Sequence, residues 1–305
     1  MKAIRIHTYN DKPAAEQIPP PVVAKDQVLV QVQATALNPL DALVVSGVAA
    51  QFFAISLPLT LGTDFAGVIE KVGSEVSQWR VGDRVIACAD ASTCGGLAEF
   101  AAVPASACVA LPQRMSAIEG AAIPIAALTA WHSLFSSACL KAGETVLIHA
   151  GAGGVGTFAV QFAKKAGARV IATASGDGLE LARRLGADEV LDYTSVDFTS
   201  VVHNVDVVLD LVGGETQQRS FEVLRKGGRL VSTAMPPDAH LAESCGVTAS
   251  MFYAAQYASQ LDKLVSSIDE QGIEVVIDRV VPFDAFDDAW ERLVSGRARG
   301  KIIVQ

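Results

Sequence analysis

Three glycines in the spacing Gly151-x-Gly153-x-x-Gly156 stand between an apolar run, Glu144 to His149, and a segment with apolar residues at helical spacing, Thr157 to Ala166. The run reads as a buried parallel strand and the segment as a helix. Strand, glycines, helix is the context in which this spacing points to phosphate binding. The glycines permit a tight turn and let the backbone approach a pyrophosphate. The helix start then offers unpaired N–H groups and about half a positive charge to the anion. Gly151, Gly153, Gly154, Val155 and Gly156 are therefore candidate cofactor-binding residues. The structural alternative is a tight strand-to-helix turn without a ligand.

Metal chemistry has no comparable pattern. Cys88, Cys94, Cys108, Cys139 and Cys245 are scattered, and no C-x-x-C or H-x-x-x-H spacing occurs. Zinc needs several convergent nitrogen or sulfur ligands. His7, His132, His149, His203 and His240 are dispersed and read as surface or satisfied core residues. No metal is expected. The odd, scattered cysteines suit a reducing compartment without a disulfide framework, so the expected location is cytoplasmic. The start, Met1-Lys-Ala-Ile-Arg-Ile6, alternates like a strand and leaves no room for a targeting peptide.

With 305 residues, half of them hydrophobic, the chain is a packed globular protein of one large or two ordinary domains. A net charge of −9 without a basic stripe argues against nucleic acid as a partner and against an anionic membrane surface. No apolar run spans a bilayer; the most tempting, Ala121 to Trp131, is too short.

The elements that must position the glycine turn follow a change of texture. Residues 1 to about 120 carry short alternating segments, such as Val28 to Ala34, punctuated by Gly, Pro and Asp. They read as a barrel-like β domain. From Ser116 to Leu140 the pattern is helical, with Pro124 as a break. Strands and helices then alternate. Strands are predicted at Val170 to Ala174, Glu189 to Asp192, Val205 to Val212, Arg229 to Thr233 and Val247 to Met251, and helices at Leu179 to Leu185 and from Gly213-Gly214 to Leu224. This implies crossover units and a parallel sheet. A helix from Gln256 to Glu270 follows. A strand at Glu274 to Ile277, a helix from Phe283 to Leu293 and a strand at Lys301 to Val304 then close the chain. That tail is too short to stand alone and is assigned to the first domain. The expected division is 1–120 with 272–305, and 121–271 between them.

Several segments, taken in this order, carry a resemblance. They are Leu37-Asn-Pro-Leu-Asp41, Gly62-Thr-Asp-Phe-Ala-Gly67, Val81-Gly-Asp-Arg-Val85, Gly95-Gly-Leu-Ala-Glu-Phe100, Leu128-Thr-Ala-Trp131, the glycine turn, Leu185 to Tyr193 and Gly300-Lys-Ile-Ile-Val304. The chain resembles the zinc-free medium-chain dehydrogenase/reductase family, in particular its quinone oxidoreductases and alkenal or enone reductases. The resemblance implies an α/β fold: a GroES-like β-rich catalytic domain and a doubly wound parallel-sheet Rossmann domain. Zinc-bearing relatives carry a Cys where this chain has Asn38, and Gly-His-Glu where it has Gly62-Thr63-Asp64. Asp64 reads as structural here. Without a Lewis acid, a conjugated acceptor that spreads its negative charge suits the site better than a simple ketone.

The resemblance also implies roles. Asn38 and Asp41 lie in a loop that positions substrate or cofactor; the alternative is an Asx-type turn around Pro39. Thr129 lies at the nicotinamide end of the cofactor site; the alternative is a hydroxyl bonded to its own helix. Ser175 and Tyr193 are candidate ligands of a 2′-phosphate. The strand that would carry an acid for NAD ends in Thr173-Ala174-Ser175-Gly176, so NADPH is favoured over NADH, although Asp177 stands close by and no basic residue does. Arg183 and Arg184 follow on a helix. Val212 and Ala234-Met-Pro236 come after strand ends, where open α/β sheets bind ligands. Relatives often carry a Tyr after the Ser46-Gly47 turn, whereas this chain reads Gly47-Val-Ala-Ala-Gln-Phe-Phe53. The general acid is therefore unassigned, with Tyr253 and Tyr257 as weaker candidates beside solvent and the cofactor ribose.

The function implied is NADPH-dependent, metal-independent hydride transfer to quinones or α,β-unsaturated carbonyls by a homodimer paired near Gly246 to Phe252. The alternatives are an enoyl-thioester reductase, which would call for a basic groove for its carrier, and a dinucleotide-binding protein without turnover.

Overall fold

The computed structural model describes residues 1–252 and 260–305. The first strands, β1 (Lys2–Ile6), β2 (Ala14–Gln17) and β3 (Gln27–Ala36), lead into helix α1 (Pro39–Val45). Then come β4 (Leu59–Thr60), β5 (Asp64–Val72), β6 (Arg84–Cys88), β7 (Phe100–Pro104), β8 (Cys108–Ala110) and α2 (Ala117–Ala122). Helix α3 (Pro124–Trp131) starts at the proline and runs directly into a π-helical turn, His132–Ser137. Alternation follows: β9 (Thr145–Ile148), α4 (Gly154–Lys165), β10 (Arg169–Ala174), α5 (Gly178–Arg184), β11 (Glu189–Asp192), β12 (Val205–Asp210), α6 (Gly214–Ser220), β13 (Leu224–Ser232), α7 (Ala239–Cys245) and β14 (Thr248–Met251). The chain closes with α8 (Leu261–Gln271), β15 (Ile277–Val281), α9 (Phe286–Val294) and β16 (Lys301–Val304).

These elements form two compact units. One comprises Met1–Ile125, Ala255–Gln271 and Ile277–Gln305; the other comprises Ala126–Ala254 and Gly272–Val276. The sequence predicts 255–271 as part of the second unit. In the structure α8 packs on β8 of the first, burying Leu261, Leu264, Val265 and Ile268, a stripe at helical spacing.

The first unit is built on a seven-stranded sheet in the order β15-β16-β3-β5-β6-β8, with β7 also paired to β3, and a small sheet, β2-β1-β4. Alternation along β3 and its neighbours puts Val28, Val30, Phe65, Ile69, Val85 and Val103 into one core cluster. A second cluster gathers Ile4, Ile6, Leu37, Val44, Leu61, Phe286, Ile302 and Val304. The last strand thus joins the first residues in one core.

The second unit is a six-stranded parallel sheet in the order β11-β10-β9-β12-β13-β14. Counted from β9, this is the doubly wound order 3-2-1-4-5-6, whose reversal point lies between β9 and β12. Ile171, Leu147, Val208 and Leu230 form one row across four strands and are buried together. The α/β fold with a doubly wound sheet therefore stands.

Two segments differ from the sequence reading. Glu274 to Val276 is not strand; the Gln161 side chain takes both backbone groups of Glu274, accepting from its N–H at 2.8 Å and donating to its carbonyl at 3.0 Å. A side-chain amide has replaced a strand partner. Helix α7, not foreseen, starts where Asp238 caps the N–H groups of His240 and Leu241. Among the described residues no helix is long and apolar enough to cross a membrane.

Candidate functional site

The glycine turn joins β9 to α4 at the reversal point of the parallel sheet. Ala150, the residue that turns the chain, has φ +52°, a left-handed conformation that costs a side-chain-bearing residue about 1 kcal/mol or more. Its carbonyl accepts from Gly153 N–H at 2.9 Å, and Gly151 N–H donates to the Thr173 carbonyl of β10 at 2.9 Å. Close approach makes two of the glycines obligatory. A Cβ on Gly156 would sit 2.2 Å from the Ala150 carbonyl oxygen, and one on Gly151 would sit 2.8 Å from the Ala172 Cβ. Gly153 differs, since a Cβ there would meet only the Ala150 oxygen, at 3.3 Å. No side chain caps the helix that begins at Gly154, so the amides of its first turn, Val155 and Gly156 included, keep their capacity for an anion. Space beside Gly153 and uncapped amides fit a dinucleotide pyrophosphate.

The neighbouring strand ends bring other candidates together. Parallel register sets Ala174 beside Asp192, and the next residues meet: Ser175 Oγ donates to Tyr193 Oη at 2.9 Å. The two hydroxyls form one exposed polar spot, with Tyr193 58% exposed. Neither arginine of α5 is uncommitted. Arg183 pairs with Glu180, and Arg184 holds Glu274 with both terminal nitrogens.

Past β12, Asp210 shapes the loop that presents Val212. Its Oδ1 accepts from the N–H groups of Val212 (3.0 Å) and Gly213 (2.8 Å), and its Oδ2 accepts from Gln217 Nε2 (3.0 Å) and Ser232 Oγ (2.7 Å). The carboxylate is fully buried and Val212 is 51% exposed. Met235 joins in: its sulfur accepts from Gly214 N–H and its carbonyl from Gln217, each at 3.0 Å. Thr129 is buried on α3.

In the first unit Asn38 and Asp41 are buried and turned inward. Asp41 Oδ2 accepts from Asn38 N–H at 2.8 Å and its Oδ1 from Gly62 N–H at 3.2 Å, so the carboxylate is spent on backbone. Asn38 Oδ1 accepts from the Lys301 ammonium of β16. That fixes the amide, whose Nδ2 donates to Asp64 Oδ2 at 2.9 Å and reaches Thr63 Oγ1 at 3.5 Å. Asp64 Oδ2 also accepts from Ile125 N–H at 3.1 Å. The Lys301 ammonium lies 4.0 Å from Asp64 Oδ2, with 4% of its side chain exposed.

Two carboxyl groups and one ammonium thus share a buried site. Burial pushes the Asp41 carboxyl up to about 6, with the Asp64 charge adding and Lys301 opposing. Burial also raises Asp64, against the pull of Lys301 and Asn38, and lowers Lys301, against both carboxylates. The Cys88 thiol, buried beside Asp64, is raised well above its ordinary value by burial and by that charge. Among the described residues no group of three or more His, Cys, Asp or Glu side chains could hold a metal ion.

Sequence reasoning missed Lys301 and Asp210. A lone lysine in the apolar run Lys301-Ile-Ile-Val304 was the available signal. Tyr253 and Tyr257 lie outside the described residues.

Comparison with known proteins agrees with this architecture. Residues 24–113 match the alcohol dehydrogenase GroES-like domain, and residues 185–304 match the zinc-binding dehydrogenase family. The chloroplast envelope quinone oxidoreductase homolog of Arabidopsis thaliana is 33% identical over 323 residues, covering 100% of this chain and 98% of that one. The solved quinone oxidoreductase of Coxiella burnetii superposes with a TM-score of 0.91 at 31% identity, over 100% of this chain and 98% of that chain. The Escherichia coli quinone oxidoreductase complexed with NADPH does so with a TM-score of 0.90 at 27% identity, over 100% and 99%. The chain belongs to the medium-chain dehydrogenase/reductase family, in its quinone oxidoreductase group.

Proposed function

We propose that this chain is an NADPH-dependent, metal-independent oxidoreductase that passes hydride to quinones or to the β-carbon of α,β-unsaturated carbonyls. The observation that supports it most is that a Cβ on Gly153 would meet only the Ala150 oxygen, in a turn whose Gly151 and Gly156 are demanded by packing. When bound, the dinucleotide supplies the hydride from nicotinamide C4. The chain's own part is to hold it. The uncapped amides of the first turn of α4, from Gly154 to Gly156, receive the pyrophosphate, with Gly151 and Gly153 shaping the turn and Thr129 and Val212 as further cofactor contacts. The Ser175 and Tyr193 hydroxyls take the 2′-phosphate where a carboxylate would repel it. That no arginine of α5 is spare makes the preference for NADPH over NADH a matter of hydroxyls rather than cations.

Asn38 and Asp41 act by positioning. Their side chains fasten the start of α1 to Gly62, Asp64 and Lys301, which sets the loop backbone. A buried ammonium bonded to Asn38, where zinc-bearing relatives hold a cysteine, opposes a divalent cation. Acceptors that delocalise their charge need only oriented donors. The completing proton is assigned to solvent or the cofactor ribose. By the same family reading the first unit is the catalytic domain, the chain pairs through the free edge of β14, and its five free thiols suit a cytoplasmic setting.

The test is to mix the chain with NADPH or NADH and a panel of quinones, alkenals, enones and enoyl thioesters, and to follow loss of reduced-nicotinamide absorbance. Oxidation of NADPH by quinones or enones, undiminished by a chelator, is expected. Turnover confined to enoyl thioesters would move the assignment to that class. Tight NADPH binding with no turnover on any panel member would make the chain a binding protein.

A further inference from the structure

His149, the last residue before the turn, is 1% exposed and has a partner on each ring nitrogen. Nε2 lies 2.9 Å from Ser220 Oγ, and Nδ1 lies 3.2 Å from Thr173 Oγ1. The direction of each bond follows from its ends. Ser220 Oγ donates its single hydrogen to the Thr216 carbonyl at 2.6 Å, so it can only accept from the ring. The hydrogen of the imidazole is therefore on Nε2, and Nδ1 is bare. Thr173 then gives its hydroxyl hydrogen to Nδ1 and keeps its lone pairs for Ala150 N–H, 3.2 Å away. The sequence Ala150 N–H to Thr173 to His149, and His149 to Ser220 to Thr216, leaves no donor without an acceptor.

A charged imidazolium would break it. Both ring nitrogens would donate, Thr173 Oγ1 would face two donors, and its own hydrogen would lose its acceptor. Burial lowers the His149 pKa to about 4, with Asp210 opposing, and an edge-on Phe198 at 4.8 Å closes the ring in. What the chain fastens is Ala150, whose left-handed φ aims its carbonyl at Gly153 and Gly156.

We propose that His149, locked in its Nε2–H form by Ser220, is a positioning residue for the phosphate-binding turn, acting through Thr173 on the Ala150 amide. It touches no ligand. The inference rests on the dinucleotide-binding reading above and deepens it by naming what holds the turn in its binding shape.

The experiment compares NADPH affinity by titration, well below the melting temperature, in paired variants of the full chain. His149→Asn keeps an acceptor near the Nδ1 position and His149→Leu does not, while both lose the bond to Ser220. Thr173→Ser keeps the hydroxyl and Thr173→Val does not. The Leu and Val variants are expected to bind NADPH about tenfold more weakly than the parent, and the Asn and Ser variants within about threefold of it. Should His149→Leu not fold, the Thr173 pair carries the same comparison. Equal affinities within the pairs, with the parent binding normally, would overturn the relay alone. Failure of the unsubstituted chain to bind NADPH would overturn the dinucleotide site and the relay together.

Discussion

At the scale of single residues, the spacing of the three glycines hides two different demands. Gly156 approaches the Ala150 oxygen so closely that any Cβ forces the helix off the strand, whereas Gly153 leaves room on its outer side. Gly156→Ala is expected to cost about 3 kcal/mol or more, read as a drop in melting temperature. Gly153→Val is expected to abolish NADPH binding and to shift that temperature by no more than about 2 °C. Undiminished NADPH affinity in the second variant would refute the phosphate-turn assignment. Lys301 makes the complementary case for charge. Lys301→Met would strand Asn38 Oδ1 without a donor and leave Asp64 without its counter-charge, a loss of about 3–5 kcal/mol. Adding Asp64→Asn should recover part of it, and a double-variant cycle measures the coupling. The glycines were legible in sequence because their meaning is local. Lys301 and Asn38 were not joined by any sequence reasoning, since 263 positions separate them and only the folded sheet makes them neighbours.

At the scale of elements, alternation of strand and helix was readable from Thr145 to Ser232, though not through α7, because each crossover needs its own apolar run and its own stop. Pairing order was not, and it is the order that sets β9 beside β12 and makes their ends the reversal point, where open α/β sheets bind ligands. Glu274 shows the opposite limit: its segment has strand composition, but Gln161 satisfies its backbone first. The Asp210 knot binds three elements, taking donors from the β12–α6 loop, from α6 itself and from β13. Asp210→Asn exchanges one acceptor for a donor that faces other donors. A loss of about 2–3 kcal/mol is expected, with weaker NADPH binding as the Val212 loop loosens. Unchanged stability by denaturant titration would show that the knot is relaxed by other partners.

At the scale of the whole molecule, one buried group in each unit responds to acid, and the two do so in opposite senses. Asp41 has a folded pKa near 6 against about 4 unfolded, so its contribution is full below pH 4 and is lost as pH rises through 6. His149 has a folded pKa near 4 against about 6.5 unfolded, so its contribution is full above pH 6.5 and is lost as pH falls toward 4. Each is worth about 3 kcal/mol across its window. The stability of Asp41→Asn relative to the parent should therefore rise between pH 4 and 7, and that of His149→Asn should fall. Calorimetry of both variants at several pH values checks the two slopes; parallel slopes would contradict the burial of one or the other group.

The pairing of β16 with β3 and the interruption of the first unit by the second also dictate an order of birth on the ribosome. Everything the parallel sheet needs has been translated by residue 276, before β15 and β16 exist. Until β16 arrives, Asn38 and Asp64 wait without their cation, and the residues of the parallel-sheet unit are all translated before the unit that flanks it in sequence is complete.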